Sequence, residues 1–167
     1  KSKDLPSNLD FLANYSKVTH ILPKFFDLVI YMDCGDIKRP GLKIEEDITS
    51  LSFDHHQSNN NFANYNFVDV NKASTAEVLF EFFEANEMKI SKNTAECFYT
   101  GIYDDSISFS TPRVDKSTFD KISILLQSNI DPNYICALSE VSLLERLFKG
   151  DLELVHKKHH DDIVFNE

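Results

Sequence analysis

The chain is short of positive charge, of glycine and of long apolar runs, and each shortage removes a class of function. Its 17 lysines and arginines face 27 aspartates and glutamates, a net charge of −10. That balance disfavours broad attraction to duplex DNA or to an anionic membrane surface. A small phosphate substrate stays open if something local supplies positive charge, and bound metal ions are the compact source. No apolar stretch approaches the roughly 18 residues that a membrane span needs. No charged-then-apolar leader opens the chain, so secretion is not expected. The four glycines form neither a Gly-rich phosphate loop nor a GxSxG elbow. Cys34, Cys97 and Cys136 are odd in number and lack CxxC spacing. This argues against a disulfide framework or a thiolate zinc site, and for a reducing cytoplasm.

What is present is ordinary globular material. Hydrophobic residues make up 42% of the 167 and aromatics 12%, enough for one packed domain, or one and part of another. The chain opens on Lys1 rather than Met, and its first ten residues read as the middle of something. A fragment whose true beginning is missing is therefore expected.

Phe25 to Met32 is a β-rich apolar run of strand length that ends at Asp33-Cys34-Gly35-Asp36. Arg39-Pro40-Gly41 then breaks the chain. A second strand, Ile48 to Phe53, delivers Asp54-His55-His56, and an asparagine-rich loop from Gln57 to Asn66 leads to a third near Phe67 to Val70. Ser74 to Glu77 reads as a capping box, with Glu77 reaching back. The helix it opens carries Ala76, Leu79, Phe80 and Phe83 on one face. Ser91 caps another, with Ala95, Phe98, Tyr99 and Ile102 at helical spacing and Asp104-Asp105 at its end. Ser117 to Ser128 is a third, with Phe119, Ile122, Leu125 and Leu126 inward. Helix resumes after Pro132 through Leu147, and Asp162 to Phe165 can open a strand. Strands alternating with helices predict an α/β fold, a mostly parallel sheet flanked by helices and followed by a helical linker. A boundary is expected between residues 130 and 140.

The chemistry gathers at the ends of these elements. Asp54-His55-His56 puts a carboxylate and two imidazoles at a strand terminus, a donor set suited to Mn²⁺, Fe²⁺ or Zn²⁺. Asp33 closes the preceding strand, and ligands of open α/β sheets collect at carboxyl strand ends. Asp105 sits where exposed helix carbonyls disfavour a carboxylate by roughly 0.3–1 kcal/mol, a penalty that a bound cation reverses. Each spot has a bland counterpart. Asp33 and Asp36 fit a turn bonded to nearby amides, Asp54-His55-His56 a surface turn, and Asp104-Asp105 a solvated helix end. All three occurring together at element ends is the harder coincidence. His156, His159 and His160 lie among lysines and read as a solvated linker; His20 reads as a loop or core histidine, and Cys34 as a small packed residue.

These segments resemble a known set. Asp33-Cys34-Gly35-Asp36, Asp54-His55-His56, Ala73-Ser74-Thr75-Ala76-Glu77 and Thr100-Gly101-Ile102-Tyr103-Asp104-Asp105 are similar, in order and interval, to successive motifs of the DHH/DHHA1 phosphoesterases. The nearest branch is the bacterial nanoRNase (oligoribonuclease)/pAp phosphatase type, a relative of the RecJ exonucleases. The similarity runs from about Leu5 to Glu145. It implies two Mn²⁺ ions, with Mg²⁺, Fe²⁺ or Co²⁺ as alternatives, and hydrolysis of short oligoribonucleotides or nucleoside 3',5'-bisphosphate. It implies Asp33, His55 and Asp105 as metal ligands, Asp54 and His56 as catalytic residues lining the site, and Arg39 and His56 near the substrate phosphate. The implied partner is a short RNA or nucleotide phosphate, with no duplex DNA and no membrane, and a homodimer is compatible with it. The implied organisation is an incomplete catalytic domain over 1–137, a linker helix over 138–158 and the start of a DHHA1-like domain over 159–167.

The chain departs from the family pattern in three places. The first motif, a His-x-x-x-Asp-x-Asp run, is absent, as is the glycine-rich part of the DHHA1 domain. Ser106-Ile107 stands where Thr-Gly is usual. Two alternatives therefore stand beside the main reading: the same chemistry on a cyclic dinucleotide, polyphosphate or pyrophosphate, and an inactive nucleotide- or partner-binding module.

Overall fold

A computed structural model describes residues 6–41, 44 and 47–139. The expected helix through Leu147 is present over 132–139; its remainder, the histidines at 156, 159 and 160, and the strand at 162–165 lie outside the described residues. Three parallel strands form one open sheet in the order β1 (Leu28–Met32), β2 (Thr49–Asp54), β3 (Tyr65–Val68). Three helices follow: α1 (Thr75–Ala85), α2 (Lys92–Asp105) and α3 (Lys116–Leu126), with a further helical run over 132–139. None of the helices among the described residues is long and apolar enough to cross a membrane.

The fold class is as expected, a parallel sheet flanked by helices, but the alternation is not. No α-helix is found among the described residues between β1 and β2 or between β2 and β3; the helices come after the third strand. Local chemistry explains this. Pro40 and Gly41 (φ 66°) interrupt the first connection. The second is a polar loop whose asparagine side chains bond the backbone in place of a helix ladder, as when Asn59 Oδ1 accepts from Asn61 N–H at 2.8 Å. Strand bounds shift as well. β1 begins at Leu28, because Phe25 is 91% exposed and buries little against the sheet. β3 begins at Tyr65, inside the stretch expected to be loop.

One face of the sheet is cemented by aromatic rings. Phe53 and Phe67 stack at 4.8 Å across β2 and β3, and Phe82 of α1 stands edge-on to both at 5.1 and 5.0 Å. The main core lies between the helices, where Phe80, Ala95, Phe98, Ile102, Leu125 and Ile135 are buried together. α1 and α2 approach so closely that a Cβ on Gly101 would stand 3.0 Å from that of Ala76. The predicted faces of α1 and α2 hold; that of α3 holds at Ile122 and Leu125 only. Phe119 and Leu126 are exposed, because the helix rests on its neighbours by a narrower stripe than its sequence offers. Its cap is Asp115, which forms the reciprocal capping box with Thr118. At α1 the Ser74 side chain accepts from Glu77 N–H as expected. Glu77 itself reaches one residue further back, to Ala73 N–H at 2.7 Å.

Candidate metal centre

Register does the first part of the assembly. Pairing of Met32 with Phe53 sets the carboxyl ends of β1 and β2 side by side. Asp33 N–H then donates to the Phe53 carbonyl at 3.0 Å. Asp33 leaves the strand in the left-handed region (φ 54°), which aspartate tolerates better than most residues. Thr75, at the start of α1, donates its hydroxyl to Asp33 Oδ1 at 2.8 Å and aims the carboxylate. Asp105, the last residue of α2, arrives from the other side.

His55 is where these elements meet. Its Nε2 lies 3.0 Å from Asp105 Oδ2 and 3.7 Å from Asp33 Oδ1, while its Nδ1 faces the Lys72 carbonyl at 3.2 Å. A carbonyl only accepts, so the ring proton belongs on Nδ1. Neutral His55 would then aim an Nε2 lone pair at two carboxylates, an arrangement that needs a cation between them. A proton answers that need in part: the bond to Asp105 raises the His55 pKa, against the lowering effect of burial. A divalent ion answers it fully. A histidine that donates its second nitrogen to a backbone carbonyl has the usual support of a metal ligand. The donor set therefore fits a metal.

Behind this layer, Asp54 is fully buried. Its Oδ1 accepts from His56 Nδ1 at 2.6 Å and from the backbone N–H groups of His55 and His56 at 2.8 and 3.2 Å. Its Oδ2 accepts from Asn59 Nδ2 at 2.7 Å. Burial alone would raise the Asp54 pKa; the donors from Asn59, His56 and the two amides outweigh it and hold the carboxyl below its ordinary value. Asp54 is thus a fixed anion that orients His56.

Asp33, His55 and His56 present ligand atoms all within 4.8 Å of one another, and Asp105 joins the group through His55. His56 Nδ1, 3.5 Å from Asp33 Oδ1, is committed to Asp54, which leaves Nε2 as its available atom. Arg39 is not brought in. It lies exposed in the turn after β1, its backbone N–H bonded to the Asp36 carbonyl, and its guanidinium makes no ion pair among the described residues. Asp36 behaves as a turn aspartate, accepting from Lys38 N–H at 2.7 Å. Thr75, Asn59 and the Lys72 carbonyl belong to the site without any sign of it in the sequence. Thr75 sits inside one of the family-like motifs, but a hydroxyl at a helix start reads as a cap; Asn59 is one of five asparagines in its loop. A cavity of about 840 Å³ opens beside the cluster, between α1 and α2, with Asp33 and Asp105 in its wall.

Residues 3–102 match the DHH family, N-terminal domain. A curated relative, the "Probable bifunctional oligoribonuclease and PAP phosphatase NrnA" of Streptococcus mutans, is 30% identical over 81 residues, covering 48% of this chain and 26% of that protein. The crystal structure of an exopolyphosphatase-related protein from Bacteroides fragilis superposes with a TM-score of 0.65 at 25% identity, covering 80% of this chain and 44% of that one. The chain thus spans about a quarter of the curated relative and less than half of the structural one.

Proposed function

The chain belongs to the DHH family, and from that premise we propose that the protein is a metal-dependent phosphoesterase that hydrolyses short oligoribonucleotides or nucleoside 3',5'-bisphosphate. The observation that carries this reading is the setting of His55. Its Nε2 faces the carboxylates of Asp105 and Asp33, and its Nδ1 is fixed by a backbone carbonyl. Asp33, His55 and Asp105 are the proposed ligands of two Mn²⁺ ions, with Mg²⁺, Fe²⁺ or Co²⁺ as alternatives. When bound, such ions lower the pKa of a water and neutralise charge on phosphoryl oxygens.

The protein's own groups do the rest. Thr75 holds Asp33 in place through its Oδ1. Asp54 accepts the Nδ1 proton of His56 and leaves Nε2 as the atom that faces substrate; only as the imidazolium would that nitrogen give a proton to the leaving oxygen or steady the phosphoryl charge. Arg39, outside the cluster, has a part only if substrate reaches the turn after β1. The nucleotide substrate is supported by the likeness to the streptococcal oligoribonuclease and PAP phosphatase. The likeness to the exopolyphosphatase-related Bacteroides protein supports a second reading, the same chemistry on polyphosphate.

The test is Mn²⁺-dependent release of mononucleotide from a diribonucleotide by the intact protein, against His55→Ala. The proposal expects metal-dependent turnover in the wild type and its loss in the variant. Full activity in His55→Ala removes the site as described, and an inactive wild type favours a binding module.

A further inference from the structure

The segment that follows Asp105 is strained, and the residue bearing the strain is not in the core. Ser106 caps α2, and Ile107, Ser108 and Phe109 then take φ of 50°, 55° and 65° in succession. A left-handed backbone is uncommon for any side chain and an outlier for a β-branched one. The surroundings enforce it. The Ser106 hydroxyl, fully buried, donates to the Tyr103 carbonyl at 3.3 Å and accepts from Phe109 N–H at 3.0 Å. Ser108 N–H donates to the same carbonyl at 2.9 Å. The Phe109 ring locks edge-on to Tyr103 and Tyr99 at 5.5 and 6.1 Å.

Ile107 gains little from this packing, being 65% exposed. Glycine would hold the same turn with less strain. What an isoleucine adds is an apolar side chain in the wall of the cavity that Asp33 and Asp105 border. That cavity is of small-ligand size. Away from the carboxylates its lining mixes the apolar Leu79, Phe83 and Phe98 with polar side chains such as Asn8, Thr94 and Ser108, and no lysine, arginine or histidine lines it among the described residues. Beyond the ions proposed at Asp33 and Asp105, the described lining offers a further phosphate no cationic side chain. A neutral ring would meet the apolar part of the lining.

We propose that Ile107 is a specificity-determining residue, held in the cavity wall by the Ser106-pinned turn to contact the nucleoside part of a substrate whose phosphate lies at Asp33, His55 and Asp105. This rests on the phosphoesterase reading above, and it favours nucleotides over polyphosphate.

The experiment compares the intact wild type with Ile107→Gly and Ile107→Asn, both of which accept the left-handed turn. Each is assayed for thermal stability, for calorimetric binding of adenosine 3',5'-bisphosphate, and for Mn²⁺-dependent hydrolysis of that compound and of pyrophosphate. Both variants are expected to melt at or above the wild-type temperature. They are expected to bind the bisphosphate about tenfold more weakly and to raise its KM about tenfold with kcat nearly unchanged, the scale of a lost apolar contact. The KM for pyrophosphate should not move. Unchanged nucleotide binding, an equal rise in KM for both substrates, or a lower melting temperature in both variants overturns the assignment while leaving the metal site standing. A wild type that cleaves neither compound with Mn²⁺ overturns the phosphoesterase reading and this assignment together.

Discussion

Asp54 can remain an anion without exposure to water only because four donors converge on its two oxygens. Removing the carboxylate in Asp54→Ala leaves His56 Nδ1 and two backbone N–H groups without this acceptor and Asn59 with only its longer bond to the Cys34 carbonyl, at a cost of about 3 kcal/mol. Denaturant unfolding at neutral pH measures that loss directly. Glu81 plays the matching part on the far side of α1, where it pairs with Lys72 and, at 2.9 Å, with the buried Lys121. Burial would raise its pKa, but the two lysines prevail and lower it from 4.5. A depressed carboxylate contributes stability that is fully present above its unfolded pKa and is lost as pH falls through the folded one. Wild-type melting temperature should therefore drop below about pH 4.5 more steeply than that of Glu81→Gln. At neutral pH the variant should be less stable by about 1–2 kcal/mol, discounted because Glu81 is part-exposed. The reverse sign holds at His55, whose pKa is raised first by the Asp105 bond. In metal-free protein its contribution is present below the unfolded histidine value and lost as pH rises through the folded one. Proton and metal ion compete for one nitrogen, so Mn²⁺ affinity measured by calorimetry should strengthen as pH increases over that range.

Among the elements, α1 and α2 carry the site and the core at once. Phe80 is fully buried and stands edge-on to Phe98 at 5.5 Å. Phe80→Ala should cost about 3–5 kcal/mol, read as a shift in denaturant midpoint, and should weaken Mn²⁺ binding, because the same helix pair positions Thr75 and Asp105. The elements were also where sequence patterns worked best. The ends of β1 and β2 were legible because Asp33 and Asp54-His55-His56 follow strand-like runs, although β2 extends one residue further than expected, to Asp54. The inward face of α2 was legible because Ala95, Phe98, Tyr99 and Ile102 keep helical period. Both connections were legible as a Pro-Gly break and an asparagine loop, while the alternation of strands with helices inferred beside them was not. A 3.6-residue or two-residue period says nothing of whether a crossover contains a helix, and Pro40, Gly41 and the asparagines decided that locally. Phe119 and Leu126 show the same limit from another side: periodicity names an apolar face, while neighbouring elements determine how much of it is covered.

At the scale of the whole molecule, the centre is made by residues distant in sequence. Thr75 reaches Asp33 across 42 positions, and no local signal foretells such a bond. Asn59 and Lys72 join the site for the same reason: strand pairing and helix docking bring them there. Asp33, His55 and Asp105 were legible one by one as ligand-type side chains at element ends, and the resemblance of motifs grouped them; the sheet register and the α2 terminus bring the three side chains together. A chain of net charge −10 that gathers further carboxylates around an imidazole is most readily explained by cations that belong there. The most direct measurement is anomalous X-ray scattering at the manganese edge from crystals of the intact protein grown with Mn²⁺. The expected result is a peak within bonding distance of His55 Nε2 and of carboxylate oxygens from Asp33 and Asp105. Fully occupied Mn²⁺ elsewhere, with this cluster empty and His55 still bonded to Asp105, would contradict the account.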